Sequence, residues 1–189
     1  LPDGGWHVSF EDLKVDDLDT GHRFRKALPA GVRSFFEATD PRGNSISVDG
    51  QLALRGTPNG RNVDVTARWD VNIYHSGTTI TAGTDLKDLY GRVHLAGSWD
   101  GETISGTGWL DLGSATINGY HLTKIKGPMK IQHTQFIIGS KEIASGQPAE
   151  GPGVPDDQER VTAEFIGGKL VLDGIATLDE KNGYRIMVQ

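Results

Sequence analysis

From Val63 to Ile73 the chain alternates strictly, with six apolar residues (Val63, Val65, Ala67, Trp69, Val71, Ile73) separated by five polar ones. A period of two puts the apolar set on one side of an extended strand. Wound into a helix, the same residues would scatter around the whole circumference. This stretch is therefore a strand with one face towards a core and one towards water. At about 3.3 Å per residue it spans roughly 36 Å, longer than a usual strand.

Similar runs cover Ile46 to Leu54, Leu89 to Leu95, Ile104 to Leu112, Leu122 to Ile131, Phe136 to Ile138, Val161 to Leu178 (broken at Gly167-Gly168) and Tyr184 to Val188. Between them recur Asp49-Gly50, Asn59-Gly60, Asp100-Gly101, Asn118-Gly119, Asp173-Gly174 and Asn182-Gly183. Such pairs tolerate the positive φ of tight hairpins. The short spacing of strand and turn predicts antiparallel meanders and leaves no room for crossover helices. Gly, at 26 of 189 residues, is about twice as frequent as usual because it serves as punctuation.

Two segments break the pattern. Residues 20–39 read as two short helices. The first is capped by Asp19 or Thr20 and carries Phe24 and Leu28; after Pro29 the second carries Val32, Phe35 and Phe36. Residues 144–159 are rich in Gly and Pro, offer only Val154 to a core, and read as a mobile loop. The expected organisation is one β domain over 1–189, with a helical insertion at 20–39.

The phrase Gly-x-apolar-x-apolar-x-Gly occurs at Gly50–Gly56, Gly91–Gly97 and Gly168–Gly174, with a degenerate copy from Gly127 to His133. The starts at 50, 91, 127 and 168 are 41, 36 and 41 residues apart. Two copies share a lead-in, Leu86-x-x-Leu89-x-Gly91 and Leu122-x-x-Ile125-x-Gly127. A period near 40 in a β chain marks a repeated small group of strands. The long one-sided strands favour a curved, mostly antiparallel sheet, a repeated β-meander shaped as a groove. The paired glycines allow it to bend.

These residues resemble the AsmA/TamB-type family of bacterial envelope proteins. The likeness lies in Leu89-Tyr90-Gly91-Arg92-Val93-His94-Leu95-Ala96-Gly97, in Ile104-Ser105-Gly106-Thr107-Gly108-Trp109-Leu110-Asp111-Leu112, in the run from Ala115 to Gly127, and in the run from Phe165 to Leu178. It covers roughly 45–189 and leaves the N-terminal quarter unmatched. The resemblance implies a taco-shaped β-groove for phospholipid acyl chains in the periplasm, within a longer protein tethered to the inner membrane and continued by adjacent repeats. It implies no catalytic residue, metal or cofactor.

The residues themselves point to little chemistry. With Lys+Arg 19 against Asp+Glu 25, the net charge of −6 offers no basic stripe for nucleic acid. Cys is absent, which removes thiolate zinc sites and Cys nucleophiles. No run of 18 apolar residues would span a membrane as a helix. The chain begins at Leu1 without a signal peptide and reads as part of something longer. None of His7, His22, His75, His94, His121 and His133 forms a metal-binding pair by spacing. Asp16 to Gly21 lacks the ligand alternation of a calcium loop. Lys124, Lys126 and Lys130 form a row that either meets anionic headgroups or is an ordinary solvated face. Trp109 falls off the apolar phase of its strand.

The nominated lining of the groove is Val65, Trp69, Ile73, Leu95, Leu110, Met129, Ile131, Leu170 and Leu172. Each lies on the apolar phase of its own strand. Two other readings stand beside a lipid groove: a structural or adhesive module whose apolar faces close as a sandwich, and a carbohydrate-binding or carbohydrate-active β domain.

Overall fold

The computed structural model describes residues 4–28, 33, 36–37, 39–43, 46–60, 62–81, 85–133, 135–139, 160–179 and 183–188. The expected loop at 144–159 and most of the second expected helix lie outside this set. The protein is mainly antiparallel β, built as one curved open sheet. Among the described residues its strands are β1 (Trp6–Val15), β2 (Arg42–Gly43), β3 (Ile46–Asn59), β4 (Asn62–Thr81), β5 (Asp85–Trp99), β6 (Ile104–Ile117), β7 (Tyr120–Gln132), β8 (Gln135–Ile138), β9 (Val161–Phe165), β10 (Gly168–Leu172), β11 (Gly174–Asp179) and β12 (Gly183–Val188). The spatial order is β1-β3-β4-β5-β6-β7-β8-β11-β12. The outer edge of β7 is shared, with β8 pairing Met129–Gln132 and β9 pairing near Thr123 and Lys126. The short β10 pairs β9, and β2 pairs β4.

A helix, α1 (His22–Ala27), follows β1. Its N-cap is Gly21, and neither Asp19 nor Thr20 caps it as expected. Asp19 Oδ1 instead accepts the Gly21 N–H, and Thr20 Oγ1 donates to the Pro41 carbonyl. The two apolar helical stripes meet where Phe24 packs edge-on against Phe36, ring centroids 5.3 Å apart. Asp40 then ties the segment down by ion pairs with Arg25, at 2.8 Å, and with Arg42.

Of the five Asx-Gly pairs that lie wholly among the described residues, three behave as turns; Asn182 of the sixth lies outside them. Asn59-Gly60 and Asp100-Gly101 connect β3 to β4 and β5 to β6. Asn118-Gly119, with φ +50° and +83°, closes β6 onto β7 in two residues. Asp100 accepts from the Glu102 and Thr103 N–H groups and the Thr103 hydroxyl, which holds its carboxyl down at about 2. Asp49-Gly50 departs from expectation. It is no turn but lies inside β3, opposite Asn72 and Val71. Asp173-Gly174 joins β10 to β11, which pair with different strands, so it closes no hairpin.

The repeat explains Gly50. Gly50, Gly91 and Gly127 begin its first three copies and have φ of +134°, +134° and +147°. At each, an added Cβ would fall 2.6–2.7 Å from the Cα of a buried residue on the neighbouring strand: Val71, Leu112 and Val161 respectively. The three copies occupy β3, β5 and β7, so the unit is a pair of antiparallel strands. Gly168 does not share this conformation and lies at the start of a short hairpin strand. The fourth copy is therefore not equivalent, whereas the copy that is degenerate in sequence is.

The lead-in phrase also has a structural counterpart. Asp88 and Lys124, third residues of Leu86–Gly91 and Leu122–Gly127, have φ of +52° and +50°. Each adds a residue before the alternation resumes, so Leu86 and Leu89, and Leu122 and Ile125, share a face although three apart. On β4, Gly77 (φ +83°) separates His75 from Thr78 in the same way, and on β6 Leu112 and Ala115 bracket Gly113. Thr78 pairs with Leu89 and Ala115 with Leu122. The irregularities thus form a line across four adjacent strands, and all four residues named in those pairs are buried.

Gly91→Ala should destabilise the protein by at least about 1–3 kcal/mol, the usual cost of a residue held in a sparsely populated backbone region, with the steric clash added. Gly60→Asn should be nearly neutral, because Gly60 has φ +61° and open space for 4 Å around the position a Cβ would take. Urea unfolding of both variants checks the pair. Equal stability of the two would mean the repeat glycine is not required by its conformation.

Candidate functional site: the apolar face of the sheet

Directly opposed residues in antiparallel strands share a face, so the register carries one face across the sheet. Starting at Trp69, it passes through Leu52 and Phe10 on one side and Gly97 and Gly106 on the other, then reaches Ile131 and Phe136. A parallel row runs Val15, Val48, Ile73, Val93, Leu110. All nine nominated residues fall on this face. Val65, Trp69 and Ile73 sit on β4, Leu95 on β5, Leu110 on β6, Met129 and Ile131 on β7, and Leu170 and Leu172 on β10. Met129 and Ile131 are buried; the other seven are half-buried.

The face is unevenly covered. Towards β5–β7, β9 and β10, Leu89, Leu112, Ala115, Leu122, Ile125, Val161 and Ala163 form a closed cluster. Towards β1 the face is open: Trp6, Val8 and Phe10 remain 40%, 41% and 45% exposed. These three are not among the residues nominated from the sequence. Their alternation is too short to stand out, because a bulge between Phe10 and Leu13 reverses the phase within β1. Two tryptophans pack on glycines that end repeat phrases. Trp6 lies over Gly56, and the Trp69 ring lies where a Cβ on Gly97 would be only 2.9 Å away.

Four polar atoms on this face are buried without a hydrogen-bond partner: Trp69 Nε1, Trp99 Nε1, His75 Nδ1 and Thr78 Oγ1. Burial holds the His75 imidazole down at about 4. Its opposed residues are Ile46 and Gly91, neither of which offers a charge.

The other face is polar. Asp70 meets His94 at 2.8 Å, Asn72 donates to Asp49 at 2.8 Å, and Asp111 meets Lys126 at 3.2 Å. His94 and Trp109 project here, as their phase requires, and Trp109 is 41% exposed. Ile137 is the exception, buried on this side opposite Lys130. The lysine row is not an open cation stripe. Lys126 is paired with Asp111, and Lys124, displaced by its positive φ, is paired with Glu164 at 2.9 Å. Among the described residues no group of three His, Asp or Glu is placed to hold a metal ion, and no helix is long and apolar enough to cross a membrane. No protein-family model, curated protein or solved structure matches the chain.

Unfolded, His75 takes a proton below about pH 6.5; folded, only below about 4. Between these values the unfolded chain binds more protons, so this contribution is complete above pH 6.5 and is lost as pH falls towards 4. The loss should approach about 3 kcal/mol. Urea titrations at neutral pH and at pH about 4.5 should show a fall in stability that is much smaller in His75→Leu. Parallel behaviour of the two proteins would exclude His75 as the source.

Proposed function

We propose that this chain is a non-catalytic segment of an AsmA/TamB-type envelope protein, forming part of an apolar β-groove that shields phospholipid acyl chains in the periplasm. The reading rests on one observation: one face of the sheet carries an apolar row across β1 and β3–β7, and on β1 it stays open, with Trp6, Val8 and Phe10 40–45% exposed. A large exposed apolar surface on a water-borne protein has a partner as its usual explanation. The mechanism is passive. Each methylene taken from water onto this face contributes about 0.8 kcal/mol, while the ion pairs of the opposite face remain hydrated. The repeat of strand pairs extends such a groove by adding units, which gives the adjacent repeats of a longer protein as partners.

The closed cluster around Leu112 and Val161 favours a second reading, a structural module that uses the same face only as its core. Lipid extraction and mass spectrometry of the purified protein separate the two. Copurified phospholipid, lost in Phe10→Asp with an unchanged circular dichroism spectrum, is the expected result. Phe10 is chosen because it is 45% exposed on an edge strand, so a charge there does not disrupt a core. Protein free of lipid would leave the structural module.

A further inference from the structure

The apolar face ends in a protrusion that neither a groove nor a core explains. Strands β9 and β10 are joined by the two-residue turn Ile166-Gly167, with φ of +49° and +75°. This turn type selects Asn or Asp at its first position, and a β-branched side chain there is strained. Ile166 is also 87% exposed, more than any other large hydrophobic residue among those described. An isoleucine is thus held where both its backbone and its side chain are unfavourable.

Its neighbours are apolar too. Phe165 packs edge-on against Tyr120, with ring centroids 5.6 Å apart, and Tyr120 is 62% exposed. Phe165, Ile117, Leu86 and Leu170 pack onto the buried cluster, so the apolar face runs without interruption to the tip. Behind it, Glu164 is bound to Lys124 and lies opposite Lys169 in the ladder.

We propose that this tip docks on a lipid bilayer, with Ile166 entering the interfacial layer and Tyr120 and Phe165 resting at headgroup depth. A single turn is too narrow for a stable protein interface, which takes about 800 Å² from each partner. A bilayer requires only an apolar point with an amphipathic aromatic ring beside it at headgroup depth. The proposal stands on the hairpin and the Tyr120 ring beside it, and does not require the groove to carry lipid.

The test is cosedimentation of the whole chain with vesicles of equal parts phosphatidylglycerol and phosphatidylethanolamine. Wild type should bind, and Ile166→Asn should bind roughly tenfold or more weakly, as expected for losing one buried aliphatic side chain. The asparagine suits the turn, so this variant should melt no lower than wild type and about 2–4 °C higher. Ile166→Leu should keep binding, which separates apolarity from backbone strain. Wild type that ignores vesicles, or Ile166→Asn that binds as wild type does, overturns the proposal. Self-association dependent on Ile166, seen by sedimentation equilibrium without vesicle binding, would overturn it in favour of a protein contact. Copurified lipid without vesicle binding would remove the tip and leave the groove; vesicle binding by lipid-free protein would do the reverse.

Discussion

At Gly50, Gly91 and Gly127 the Cα of a neighbouring strand occupies the space a side chain would need. That close approach fixes how each repeat strand meets its neighbour. The buried residue pressed against each glycine, Val71, Leu112 or Val161, is held at one place along the ladder. In a sheet with one apolar side, sliding by one residue would turn every buried side chain into water. The repeated glycine therefore acts as a register lock, and the apolar face follows from the register. Bending follows as well, since the positive φ at these glycines and at Asp88 and Lys124 interrupts the flat pleat along nearby lines.

Much of this is legible because alternation survives in the sequence. Alternation locates the long strands, places His94 and Trp109 on the polar side, and brings all nine nominated residues to one face. Legibility stops where alternation stops. On alternation alone β4 ends at Ile73, β6 ends at Leu112 and β5 begins at Leu89; the structure continues the first two to Thr81 and Ile117 and starts β5 at Asp85. Each lost segment lies beyond the line of added residues. A bulge reverses the phase, and a two-residue period cannot be followed through it. The lead-in Leu-x-x-apolar-x-Gly is the visible trace of that bulge, since its spacing of three marks the two apolar residues the extra position brings to one face. Strand β1 escapes notice for the same reason. Asp49-Gly50 resembles a turn because turn chemistry and repeat chemistry both require glycine at positive φ, and only the partner strand distinguishes them.

The unpaired polar atoms of the apolar face bear on how that face works. Thr78 Oγ1 and His75 Nδ1 lie beside the bulge line, where the ladder is already irregular. Burying an unpartnered hydroxyl or ring nitrogen costs on the order of 1–3 kcal/mol. An apolar residue at either position would avoid that cost. Their presence lowers the stability of the centre of the sheet relative to a fully aliphatic face and ties it to pH through His75. The closed cluster of β5–β7, β9 and β10 compensates, which divides the face into a well-packed half and a weakly committed half.

The open half ends at an edge strand, which makes β1 a hazard as well as a surface. An exposed apolar edge is a template for pairing with another chain. Here the exposed residues Trp6, Val8 and Phe10 occupy only the first part of β1, and the bulge between Phe10 and Leu13 carries Glu11 and Asp12. Charges and a bulge are the usual means of keeping an edge from extending indefinitely. They divide β1 into two regular stretches, Trp6–Phe10 and the shorter Leu13–Val15. A further strand on this edge would therefore pair without a break over only one of these stretches. A ligand lying across the seam would rest on Trp6, Val8 and Phe10, which β1 leaves 40–45% exposed.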